Sequence, residues 1–104
     1  MAVALLIKYP SSGASELVPI AGESLFRDCW IGPAVALGLE WLPLFQTGAS
    51  VSSEFLPDVL HEFELIEREF DRSGALELAG RARDAARALR HILEDAPDAE
   101  VFIG

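Results

Sequence analysis

With 104 residues, a net charge of −9 and one cysteine, the chain is a single globular domain, large enough to bury roughly 60–70% of its unfolded surface without staples. A composition that is 51% apolar and 24% charged excludes disorder, and the lone Cys29 excludes an internal disulfide and suits a reducing, cytoplasmic compartment. The acidity disfavours nucleic acid and anionic membrane, whose phosphates need clustered Lys and Arg, and favours a basic protein partner.

The apolar opening Met1 to Ile7 has no basic leader and is cut by Lys8, so it reads as a strand and not as a secretory signal. Ala2 to Tyr9, rich in branched aliphatics, ends at Pro10-Ser11-Ser12-Gly13, a turn cluster. Glu16 to Ala21 reads as the second strand of a hairpin, with Pro19 placing it at a sheet edge because proline cannot donate to a ladder. Ser24 can cap a short helix with Leu25, Phe26, Cys29 and Trp30 on one face. Gly32-Pro33 should kink or end it, and Gly38 should end any continuation. Leu39 to Phe45 is short, aromatic and strand-like, yet Pro43 makes it an edge strand or an extended strap. Gly48 to Ser52 reads as a loop. Between Cys29 and Ser53 the only charge is Glu40, but the glycines and prolines of that stretch argue against one membrane-spanning helix.

The second half has clear helical periodicity. Ser53 serves as the expected N-cap, and Phe55, Val59, Phe63, Ile66 and Phe70 repeat at spacings that make one apolar stripe. Ser73-Gly74 breaks this helix. A second runs from about Ala75 to Asp95 with Leu78, Ala82, Ala85, Leu89 and Ile92 as its stripe, Pro97 stops it, and Glu100 to Ile103 can return as a strand. The expected fold is α+β: a small, mostly antiparallel sheet packed against a long αα-hairpin. Residues 1–52 form a strand-rich, aromatic half, 53–96 the hairpin and 99–103 a terminal strand.

Charge is segregated along the two helices. Residues 53–71 carry seven carboxylates against Arg68 alone, whereas the next helix carries Arg81, Arg83, Arg87 and Arg90. On a helical wheel Glu64, Glu67 and Asp71 flank one side of the first stripe; Glu54, Asp58, Glu62 and Glu69 flank the other. An antiparallel hairpin brings Arg83, Arg87 and Arg90 to the first set. The second set is left comparatively uncompensated and is the expected partner-binding row.

Catalytic motifs fail on specific residues. His61-Glu62 begins like a zinc-protease helix, but the residue four positions after His61 is Leu65. Each Gly-x-Ser, at Gly13, Gly22 and Gly48, lacks the closing glycine of a nucleophile elbow. Cys29 reads as a buried apolar residue and His61 and His91 as surface histidines, so no catalytic centre, metal or cofactor is expected. Trp30 and Trp41, with Phe26 and Phe45, read either as core or as the lining of a small-molecule cleft.

The stretch Trp30 … Leu37-Gly38-Leu39-Glu40-Trp41-Leu42-Pro43-Leu44-Phe45 … Gly48, followed by a carboxylate-rich helix, resembles small immunity proteins of bacterial polymorphic and contact-delivered toxin systems. The likeness covers about half the chain and rests on size, acidity and texture. It implies a non-catalytic cytoplasmic protein that blocks a toxin by binding it. The leading expectation is therefore a non-enzymatic acidic module that inhibits a basic toxin or nuclease. The alternatives are a small-molecule-binding or enzymatic domain using a cleft near Trp30 and Trp41, and a homo-oligomerising structural domain.

Overall fold

The computed structural model describes residues 2–104. Strand β1 (Ala2–Tyr9) and strand β2 (Ala14–Gly22) form the expected hairpin, closed by a turn in which Gly13 takes φ 73°. The chain then becomes helical through α1 (Glu23–Leu25), a π-turn (Phe26–Trp30) and α2 (Ile31–Ala36). A 3₁₀ helix (Leu42–Gln46), strand β3 (Ala49–Val51) and a 3₁₀ turn (Ser53–Phe55) lead to helix α3 (Leu56–Ser73). Helix α4 (Leu76–Asp95) and strand β4 (Glu100–Ile103) complete the fold. The sheet is antiparallel throughout, in the order β2-β1-β4-β3, so the architecture is α+β as the sequence predicts. No helix among the described residues is long and apolar enough to cross a membrane.

Pro19 lies on the edge strand β2. It pairs with Ala4 beside a bulge that absorbs Ile20, and its missing N–H costs the ladder little there. Pro33 does not end its helix, which continues to Ala36. The π-turn, closed by the Ile31 N–H on the Phe26 carbonyl, widens the coil where the proline ring would otherwise meet the Cys29 carbonyl. Gly38, at φ 74°, does end the helix, with the Leu39 N–H donating back to the Ala34 carbonyl at 2.9 Å.

Two expectations are corrected in the middle of the chain. Leu39 to Phe45 supplies no strand. Its backbone donors are engaged elsewhere and Pro43 starts the 3₁₀ helix, so the fourth strand comes from Ala49–Val51, within the expected loop. Ser53 is not the α3 N-cap: the 3₁₀ turn intervenes, Phe55 occupies the cap position, and Pro57 stands in the first turn where a missing N–H is harmless.

The core lies between the inner sheet face and the helices. Leu5, Ile7, Val101 and Ile103 point inward from the sheet, and Phe26, Trp30, Phe45, Phe63 and Ile66 meet them from the helical layer. Trp30 stacks on Phe26 at 5.7 Å and meets Phe70 edge-on at 5.0 Å, while Phe45 stacks on Phe63 at 6.2 Å. Along α4 the alanines Ala79, Ala82, Ala85 and Ala86 are buried, which lets α3 approach closely. Two positions leave their expected faces: Leu25 is exposed, and Phe55, in the 3₁₀ turn, is 40% exposed.

The α3–α4 turn uses Gly74 at φ 82°, and the Ala75 N–H reaches the Phe70 carbonyl at 2.8 Å. Two of the three arginines of the expected row pair across it, Arg83 with Glu67 at 3.0 Å and Asp71 at 3.8 Å and Arg90 with Glu64 at 3.1 Å, whereas Arg87 is exposed and pairs with no carboxylate among the described residues. The arginines are about half exposed, so each pair contributes only about 0–1 kcal/mol. A variant carrying Glu64→Gln, Glu67→Gln and Asp71→Asn should therefore lose about 1–2 kcal/mol in urea melts at low salt, and less at high salt.

Candidate functional site: an acidic and aromatic face built on Glu62

The four carboxylates of the expected partner row have three different fates. Glu62 is 8% exposed and turned inward, so its assignment to the partner-facing row is corrected. Its Oε1 accepts the N–H groups of Trp41 at 3.0 Å and Leu42 at 3.0 Å. Its Oε2 accepts those of Glu40 and Trp41, both at 3.1 Å. Three consecutive backbone donors thus converge on one carboxylate, a nest closed by a side chain 20 to 22 residues away. The anion also faces the N-terminal end of the 3₁₀ helix, where unpaired N–H groups favour negative charge.

The helical wheel explains this inversion. Glu62 lies roughly 60° from Val59, on the margin of the buried stripe, whereas Asp58 and Glu54 lie roughly 100° and 140° away. A carboxylate three residues after Val59 and four before Ile66 must either break the core or be satisfied inside it. That placement was the signal for a buried acid, and the run Glu40-Trp41-Leu42-Pro43, with no local side-chain cap, was the signal for its partner.

Glu69 is internally compensated. Arg72 Nε donates to its Oε2 at 3.1 Å, and this bond raises the Arg72 guanidinium above its ordinary pKa. Glu54, in the 3₁₀ turn, and Asp58, in the first turn of α3, are exposed, and among the described residues no ion pair or side-chain hydrogen bond holds either. Glu40 joins them. Its backbone is pinned by Glu62, its side chain is exposed, and the sequence offered no reason to group it with residues 54 and 58.

An aromatic contact joins the two segments that carry these acids. Trp41, half-buried, packs against Phe55 at 5.5 Å and against Phe45 at 6.5 Å. Phe55 is 40% exposed, and Leu44 on the same 3₁₀ helix is 51% exposed. Glu62 fixes the backbone of Trp41, Phe45 anchors its ring to the core, and Phe55 extends the apolar surface toward Glu54 and Asp58.

The other singled-out residues take no part in this face. Trp30 is wholly buried among Phe26, Phe63 and Phe70, which removes it as the lining of a cleft; its indole N–H has no hydrogen-bond partner in the protein. Cys29 is partly buried against the core. His61 is exposed on α3, and His91 meets Asp95 at 3.1 Å on the exposed side of α4. No family model, curated protein or solved structure matches this chain.

Proposed function

We propose that the protein is a non-enzymatic, acidic binding module that inhibits a basic protein partner, a toxin or nuclease, by covering it. The observation that carries this reading is the pairing of uncompensated carboxylates with exposed aromatic surface. Glu40 is the chain neighbour of Trp41, and Glu54 and Asp58 flank Phe55 in the chain, all three exposed, while Glu64, Glu67 and Glu69 are held by arginines of the same chain. Aromatic anchors ringed by charge are the composition of an interface hot spot. The carboxylates steer a basic partner and stand where its anionic substrate would lie; the rings supply the desolvated contact that slows release. The residues of this face carry the inhibition by occlusion and need no covalent step.

The test is a pull-down from the native cell with two charge variants as baits. Wild type should recover a basic protein. The variant Glu40→Gln, Glu54→Gln, Asp58→Asn should lose it, and the variant Glu64→Gln, Glu67→Gln, Asp71→Asn should retain it. Association of the purified pair should slow by about tenfold or more in the first variant, with a flatter salt dependence, and change little in the second. Phe55→Ala should speed dissociation while costing about 1–2 kcal/mol of stability, since the residue is 40% exposed and packs chiefly on Trp41. Equal effects of the two charge sets would overturn the assignment of the face.

A further inference from the structure

The helices cover one face of the sheet and leave the other bare. Strand alternation sends Leu5, Ile7, Val101 and Ile103 inward, and puts Leu17, Leu6, Phe102 and Ser50 side by side on a single outward rung across all four strands. Leu17 is 57% exposed, Leu6 38% and Phe102 40%. The neighbouring rung carries Ser15, Lys8 and Glu100 in register. Neither edge invites strand addition, because β2 carries Pro19 and β3 is only three residues long.

The face is not flat. Leu17 projects near the β2 edge. Near the β3 edge there is a groove of about 760 Å³, floored by Leu6, Ser50 and Phe102 and flanked by Lys8, Glu100 and the Pro97–Ala99 turn. The Phe102 ring leans away over Gly48, where an added Cβ would come within 2.7 Å of it. A knob at one edge and a hollow at the other, on the same rung, are complementary under a two-fold rotation.

We infer that this face joins two copies of the chain in a symmetric dimer, sheet against sheet. A two-fold axis between the sheets, parallel to the strands and over the β1–β4 boundary, sets β2 of each copy over β3 of the other. Leu17 of each copy then enters the groove of its mate, and Leu6 meets Phe102. The same operation sets Lys8 over Glu100 twice. At a net charge of −9 two copies repel each other across most orientations. This face is far less charged: Lys8 and Glu100 cancel within one copy and pair across two, and Asp98 in the turn beside the groove leaves one negative charge per copy. Strand spacing and rise give a footprint of roughly 400 Å² per copy, hence roughly 800–1,000 Å² over the pair, at the lower limit for a specific interface. The dimer is therefore weak and concentration-dependent.

Sedimentation equilibrium of the full chain from about 10 μM to about 1 mM tests this directly. Wild type should pass from monomer to dimer across that range. Leu17→Asp, at an exposed site, should keep its circular dichroism spectrum and raise the dissociation constant at least about tenfold. Lys8→Glu and Glu100→Lys should each weaken the dimer, and the double variant should recover it because the reciprocal pairs reform. Wild type that stays monomeric at about 1 mM, or a folded Leu17→Asp chain with unchanged self-association, would overturn the inference.

Discussion

Replacing Glu62 with Ala is expected to lower the unfolding free energy by about 3–5 kcal/mol, a large loss for a carboxylate on a helix that looks solvated in the sequence. The carboxylate accepts from three successive N–H groups, and the Leu42 N–H is buried, so removal strands donors that water cannot readily reach. Glu62→Gln keeps the volume but sets an amide NH₂ against backbone donors, so it should be destabilised by about 2–4 kcal/mol and not spared. Against a total stability of about 5–15 kcal/mol for a domain of this kind, either change takes a substantial share. Urea melts of both variants beside Asp58→Asn check the expectation. Asp58→Asn, one turn earlier on α3 and exposed, should fall within about 0.5 kcal/mol of wild type.

The second large effect lies in the aromatic core. Phe63→Ala should cost about 3–5 kcal/mol, because its ring is wholly buried and touches both Trp30 at 6.4 Å and Phe45 at 6.2 Å. The cavity it leaves cannot close easily: α3 is held to α4 on one side, and the 3₁₀ helix is held by Glu62 on the other. Ile66→Ala, buried one turn on, should cost about 2–4 kcal/mol. Midpoints and slopes of denaturant melts give both values. If both variants melted with wild type, the orientation of α3 would be wrong.

The parts of the fold that the sequence made legible are those with a strong period or a strong breaker. The apolar repeat of α3, the small-residue stripe of α4, the turn at Gly74 and the edge position of Pro19 each follow from one dominant local effect. The ion-pair row of Arg83 and Arg90 was legible because an antiparallel hairpin leaves little freedom in which flanks meet. Residues 39 to 51 were not, since residues 40–42 are held by a side chain 20 to 22 residues away and residues 49–51 by pairing with the distant strand β4. Pro43 speaks against a central strand but cannot announce a 3₁₀ helix whose preceding N–H groups are capped by α3. The candidate face was half legible for the same reason. Glu54 and Asp58 stand where the wheel puts them, far from the stripe, but grouping Glu62 and Glu69 with them treated roughly 80° of helix surface as one environment. Contact with Arg72 and with the 40–42 backbone separates those two from the solvent-facing pair.

That separation is the centre of the account, since the inward Glu62 holds in place the Trp41 segment on which the outward acidic and aromatic face is built. Amide hydrogen exchange at Glu40, Trp41 and Leu42 measures it residue by residue. In wild type these three amides should be protected like those of a packed helix, and in Glu62→Gln their exchange should rise by at least about tenfold relative to the α3 interior, about 1.4 kcal/mol of lost local protection. Amides at 40–42 that exchange at the same rate, relative to α3, in wild type and Glu62→Gln would contradict it.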